Sequence, residues 1–239
     1  MLGELGVETL STESEDQRHA RRPFVLAANE VHVWRIALDR ANGRQSLAAR
    51  LLAADEGARA RRLRFEEDQR RFVVCRANLR MILSLYLDCR PADVLFRTGS
   101  HGKPFLEPAT HWQRLRFNVS HSHELALVGV TAAGEVGVDI ERVRPLEDID
   151  AMVARHFAPR ERRAFTRAAP ADRLRTFFRH WTLKEAYLKA SGVGLSGPLD
   201  AVDVTIGRHG EWTVRLLSPG AGYVAALVVA GRDHRVRWW

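Results

Sequence analysis

Lysine is nearly absent from this chain. Of its 37 basic residues only three are lysine, at positions 103, 184 and 189, and the other 34 are arginine. The scarcity does not reflect an aversion to positive charge, since the formal net charge is +8 and the sequence pI about 10.4. Lysine offers what arginine does not, a compact point charge on a flexible stem whose pKa can shift. Three lysines in an arginine-rich chain therefore point to particular tasks for ammonium groups, such as contacting phosphates. Cysteine is also scarce. Cys75 and Cys89 match no metal or redox spacing, which excludes a disulfide framework or a cysteine zinc site and predicts two reduced, inert residues in a cytoplasmic protein. No apolar run reaches the ~18 residues a membrane helix needs. The first residues, with Glu8 to Asp16 polar and acidic, lack a basic-then-apolar leader pattern. Residues 1–22 are expected to form a flexible tail. Neither the Gly-x-x-x-x-Gly-Lys-Ser/Thr loop nor a kinase glycine loop is present, which counts against a nucleotide kinase.

The 239 residues are 46% hydrophobic and 28% charged, a globular composition with enough chain for a sizeable core. The basic balance favours polyanionic partners: nucleic acid, anionic surfaces, acidic proteins or polyphosphate ligands. Arginines cluster at Arg59, Arg61, Arg62, Arg64, Arg70 and Arg71 without the interleaved aromatics of a single-strand binder.

Within Gly137-Val138-Asp139-Ile140-Glu141, apolar residues alternate with Gly137, Asp139 and Glu141, the pattern of a strand. Side chains two apart on a strand face the same way, so the two carboxylates project together. Such a pair persists if it is solvated, if one member is protonated, or if a divalent cation lies between them. A third carboxylate, Glu185, sits in a stretch from Leu174 to Ala190 that is apolar nearly all round, which predicts a buried helix. Lys189 is four residues on and shares its stripe. Charge on so apolar a helix is costly unless paired or ion-bound. Gly192, Gly194 and Gly197 follow as helix end and close-approach loop.

Strand, helices, then strands recur twice. The first cycle has a strand at 31–38, helices at about 46–64 and 67–88, and strands at 94–97, 115–119 and 125–131. The second has a strand at 135–141, helices at about 148–156, 159–168 and 171–190, and strands at 201–206, 211–217 and 223–229. This rhythm predicts an α+β fold made of two similar halves, 23–133 and 134–239, divided at Ala132-Ala133-Gly134, with the site in the cleft between them. His121 and His123 are spaced for one strand face but have no third ligand at a supporting distance, which argues against zinc. Ser120 and His121 are adjacent and point to opposite faces, which argues against a serine hydrolase.

The Gly137–Glu141 segment, together with Phe178-Arg179-His180-Trp181-Thr182-Leu183-Lys184-Glu185-Ala186-Tyr187-Leu188-Lys189, resembles the two-part signature of the Sfp-type 4′-phosphopantetheinyl transferases. Phe117-Asn118-Val119-Ser120-His121-Ser122 and Gly102-Lys103-Pro104 resemble two further segments of that family. The resemblance spans about residues 59 to 199. It implies a monomeric pseudodimer with pseudo-twofold halves that moves phosphopantetheine from coenzyme A to a serine of an acyl or peptidyl carrier protein, an acidic partner. It further implies Mg²⁺ on Asp139, Glu141 and Glu185, and Lys189 at the leaving phosphate. Glu185, or a metal-bound water it holds, takes the serine proton. Lys103, Arg71 and His121, with Ser120, Lys184 and, through helix charge spacing, Arg59, are the expected coenzyme A contacts. No nucleic-acid or membrane partner is expected on this reading. The competing reading is a basic, non-catalytic module that binds nucleic acid or an acidic protein; it explains the charge but not the three carboxylates.

Overall fold

A computed structural model describes residues 24–39, 45–99, 102–107, 114–193, 199–204 and 207–239. The expected tail at 1–22, His101, and Gly194 and Gly197 lie outside them. The fold is α+β. Strand β1 (Glu30–Ala37) is followed by helices α1 (Gln45–Arg50), α2 (Ala54–Arg61) and α3 (Glu66–Leu87). Strands β2 (Phe96–Thr98), β3 (Pro104–Leu106), β4 (Arg116–Ser122), β5 (Leu125–Thr131) and β6 (Val136–Arg142) come next. Helices α4 (Ile149–His156), α5 (Pro159–Arg167) and α6 (Arg173–Ser191) precede β7 (Gly207–His209), β8 (Trp212–Leu217), β9 (Tyr223–Ala230) and β10 (Arg235–Trp238).

The chain divides into two compact units. One takes the described residues among Met1–Val25 and Ala37–Val94; the other takes Leu26–Ile36 and Leu95–Trp239. In the first unit, α2 and α3 are joined by a buried ion cluster. Glu56 accepts from Arg76 Nε at 2.8 Å and Arg80 Nε at 2.7 Å, and Arg80 also donates to the carbonyl of Val94. Glu56 also accepts the amide of Ala53 at 2.9 Å. That cap starts a new helix, so the single helix expected at 46–64 is two. Cys75 is buried on α3, and burial pushes its thiol up to about 11. Cys89 is exposed, so burial protects only one of the two cysteines expected to be inert.

The second unit holds two four-stranded sheets, ordered β10-β1-β5-β4 and β6-β9-β8-β7. Val136, Val138 and Ile140 of β6 and Tyr223, Ala225, Leu227 and Val229 of β9 pack with Val31, Val33, Leu125 and Leu127 of the first sheet. The other face of β9, through Ala226 and Val228, packs with Leu183, Ala186 and Ala190 of α6. With both faces covered, β9 reads as an unbroken apolar run. Three strands escape the sequence pattern. β3 and β7 have three residues each, and β10 pairs in parallel with β1, Glu30 opposite Arg235. A strand was expected at 201–206; instead a 3-10 turn covers Leu199–Ala201, and 205 and 206 lie outside the described residues.

Candidate active site

Gly137 decides how closely α6 can lie on β6. A Cβ there would come within 2.0 Å of the Ala186 carbonyl oxygen and 2.5 Å of the Ala190 nitrogen. Without a side chain at 137, the helix backbone rests against the strand. The next residues on that face of β6 are Asp139 and Glu141, and the helix turn above carries Glu185 and Lys189.

Asp139 is buried at 3% exposure and Glu185 at 8%. Lys189 Nζ donates to Asp139 Oδ1 at 2.6 Å and to Ser120 Oγ at 3.1 Å, and Ser120 Oγ donates to Asp139 Oδ1 at 2.8 Å. Ser122 Oγ donates to Glu141 Oε2 at 2.9 Å. Burial pushes the Glu185 carboxyl up to about 7, and the neighbouring Asp139 and Glu141 charges add to that against the pull of Lys189. Glu141 is also raised, first by burial and then by Asp139. Three carboxylates thus share one ammonium in a largely dry place, where charge interactions are strong.

The structure brings Ser120, Asp139, Glu141, Glu185 and Lys189 together. It does not bring Lys184 with them. Lys184 is fully buried and pairs with Glu161 Oε2 at 2.7 Å. Its Nζ also donates to the carbonyls of Leu199, at 2.6 Å, and Val202. All of its donors face inward, so the expectation that it contacts coenzyme A is corrected: one residue from Glu185 is about 100° around the helix. Lys103 donates to Glu135 Oε2 at 2.9 Å and to the Val136 carbonyl at 3.3 Å, beside Arg116, which donates to the other Glu135 oxygen. His121 is exposed on β4, facing away from Ser120 as the strand alternation requires. Arg59 and Arg71 belong to the first unit. There Arg59 lies over the Phe72 ring, 5.4 Å from its centroid, and Arg71 grips Asp39 through Nε at 3.0 Å and Nη2 at 2.9 Å. Sequence reasoning gave no part to Asn118, Ser122 or Glu161. The signal for the first two was there, in the i, i+2 spacing of Asn118, Ser120 and Ser122.

A family model described as the 4′-phosphopantetheinyl transferase superfamily matches residues 135–237. Another, described as the N-terminal part of 4′-phosphopantetheinyl transferase, matches residues 40–133. The 4′-phosphopantetheinyl transferase HetI of Nostoc sp. is 37% identical over 224 residues, covering 90% of this chain and 94% of that protein. The 4′-phosphopantetheinyl transferase psf-1 of Bacillus pumilus is 32% identical over 165 residues, 68% of this chain and 67% of its own. The 4′-phosphopantetheinyl transferase Sfp of Bacillus subtilis is 27% identical over 168 residues, 69% of this chain and 71% of its own.

The chain belongs to the 4′-phosphopantetheinyl transferase superfamily.

Magnesium is the metal that the resemblance implies for this transferase, and the carboxylates can be tested for it. As they stand they are not a closed cage: among the described residues, no group of three or more His, Cys, Asp or Glu is arranged to hold a metal ion. Magnesium does not require one, because it is usually held by one or two carboxylates, with substrate phosphates and water completing its shell. Asp139 Oδ2 is buried with no hydrogen-bond partner, and an orphaned carboxylate oxygen beside two more carboxylates is a donor set suited to a hard cation. The residues fit. Among the described residues, no helix of the transferase is long and apolar enough to cross a membrane.

Proposed function

We propose that this transferase moves the 4′-phosphopantetheine group of coenzyme A to a serine hydroxyl of an acyl or peptidyl carrier protein, with magnesium. The serine oxygen forms a bond to the β-phosphorus while the bond from that phosphorus to the bridging oxygen breaks. Adenosine 3′,5′-bisphosphate leaves, and the serine proton passes to a base. The observation that carries the reading is the convergence of Asp139, Glu141 and Glu185 on one ammonium, Lys189, across β6 and α6. A non-catalytic basic module has no use for that arrangement.

Asp139, Glu141 and Glu185 would hold the metal, which when bound supplies neutralisation of the charge on the pyrophosphate. In the metal-free protein burial holds the Glu185 carboxyl near 7; a bound cation would lower it, so the serine proton passes to Glu185 or to a water that it holds. Lys189 reaches the same place from one turn further along α6. Its mobile ammonium is suited to the charge that gathers on the departing phosphate. Ser120, Lys103 and His121 are the coenzyme A contacts we propose in the second unit, and Arg71 and Arg59 in the first. The two family models meet at residues 133 and 135, which supports the halves 23–133 and 134–239 as a division of the sequence, while the compact units divide the chain at other residues.

The test is mass spectrometry of an apo carrier protein incubated with coenzyme A, Mg²⁺ and this chain. The reading expects one phosphopantetheine added per carrier serine and none when a chelator replaces Mg²⁺. Equal transfer with chelator would remove the metal from the reading; no transfer with any carrier class would remove the substrate.

A further inference from the structure

The seam between β4 and β6 is closed by side chains. Each strand ends its own sheet, and β6 pairs along its other edge with β9, Val138 opposite Leu227 and Arg142 opposite Tyr223. The amides of Val138 and Arg142 point the other way, toward β4. Val138 N donates to Asn118 Oδ1 at 2.9 Å, and Arg142 N donates to Ser122 Oγ at 3.1 Å. Asn118 and Ser122 are both buried, at 3% and 9% exposure. Two side chains on one face of β4 thus stand in for a missing strand partner, and unpaired buried amides at those positions would be costly. A bridge through side chains also holds two strands further apart than the ~4.8 Å of direct pairing. Within that gap Ser120, Asp139 and Lys189 meet.

Ser122 does more than cap. Its oxygen accepts the Arg142 amide, and its single proton goes to the nearer of two remaining partners, Glu141 Oε2 at 2.9 Å rather than His123 Nδ1 at 3.4 Å. One hydroxyl therefore fixes the backbone at the end of β6 and one oxygen of the carboxylate at 141. A hydroxyl has one proton to give and two lone pairs to share, so its bond to Oε2 restrains the rotation of the Glu141 carboxylate.

We propose that Ser122 is a positioning residue: it holds the Glu141 carboxylate in the orientation in which it binds a divalent cation, while Asn118 fixes the strand on which Asp139 and Glu141 stand. The proposal rests on the reading of Asp139, Glu141 and Glu185 as cation ligands. Partners that orient a ligating side chain commonly change metal affinity 10- to 100-fold when removed.

The experiment is calorimetric titration of the full chain with Mn²⁺ alone, beside thermal melting and native-state hydrogen exchange. Ser122→Ala should weaken Mn²⁺ binding about tenfold or more and speed exchange at the Arg142 amide, while the chain still melts cooperatively. Ser122→Thr keeps the hydroxyl and should restore both. Asn118→Ala should speed exchange at the Val138 amide. Should the alanine variant at 122 fail to fold, Ser122→Cys, close in size with a weak donor, should show the same loss of Mn²⁺ affinity. Wild-type Mn²⁺ affinity in a folded Ser122→Ala or Ser122→Cys variant would overturn the positioning role while leaving the metal site intact. A wild-type chain that binds no Mn²⁺ and transfers fully in chelator would overturn both.

Discussion

Lys184 and Glu185 are neighbours in sequence and differ in what their charge does. Glu185 is a strained carboxylate whose proton is retained to about 7 by burial. Between the ordinary carboxylate value of 4.5 and about 7, the folded protein binds a proton that the unfolded chain releases. Stability supplied by that proton is fully present below about pH 4.5 and is lost as pH rises through 7, a swing of up to about 3 kcal/mol. Glu185→Gln should therefore raise the melting temperature of the metal-free protein at pH 8 and change it little at pH 5, while transfer falls almost to nothing. Calorimetric melts at the two pH values and the carrier assay check this; a variant that turns over like wild type at saturating Mg²⁺ would deny Glu185 its roles. Lys184 is the reverse case. Removing its ammonium leaves Glu161 buried without its counter-charge, a loss of about 3–5 kcal/mol. Lys184→Met should lower stability by that amount in denaturant titration, and adding Glu161→Gln should recover much of it. The sequence showed that both residues lie on a buried helix, and that Glu185 and Lys189 share a stripe. It could not show which way Lys184 points, because an apolar face surrounds the helix and its partners Glu161, Leu199 and Val202 lie 15 to 23 positions away.

At the scale of elements, the site is a helix laid on a strand, and Gly137 sets the spacing. The alternation of Val136, Val138 and Ile140 with Gly137, Asp139 and Glu141 was enough to place the carboxylates on one face, and the structure keeps that face toward α6. Gly137→Ala must displace backbone atoms now 2.0 and 2.5 Å from the new methyl, and helix backbone does not yield as a side-chain tip does. A loss of about 3 kcal/mol or more is expected, with transfer depressed even at temperatures where the variant is folded; a wild-type melt would show that α6 is not held by this contact. Elements whose partners are distant in sequence were harder to read. β10 is strand only because β1, some two hundred residues earlier, offers Glu30 to Val33 as its parallel partner. The break between α1 and α2 follows from a side chain, Glu56, that prefers to cap Ala53 and bind two arginines rather than extend a longer helix. Neither event leaves a periodic trace, whereas long amphipathic or alternating segments do.

At the scale of the whole molecule, the net charge of +8 bears on the partner rather than the fold. The resemblance implies an acidic carrier protein whose serine has to reach the carboxylates of β6. Arg142 and Arg144 leave that strand directly and are both exposed. Arg144 is near enough to lower the Glu141 carboxyl by its charge, whereas Arg142 stands 3.6 Å from Glu124 and is partly neutralised by it. Of the two, Arg144 is the cation less engaged within the chain and the one expected to meet an incoming acidic surface. Charge complementarity of this kind acts mainly on association rate and weakens as ionic strength rises. Arg144→Glu should raise the apparent KM for carrier protein several-fold, on the order of 1 kcal/mol for a rim charge reversed in water, while the KM for coenzyme A stays near its wild-type value. Added salt should move the wild-type enzyme in the same direction and narrow the gap between the two proteins. Steady-state kinetics with each substrate varied at two salt concentrations separates the outcomes: a variant whose carrier KM is unchanged at low salt places the docking surface elsewhere on the molecule, and one whose coenzyme A KM rises in parallel places Arg144 at the nucleotide instead.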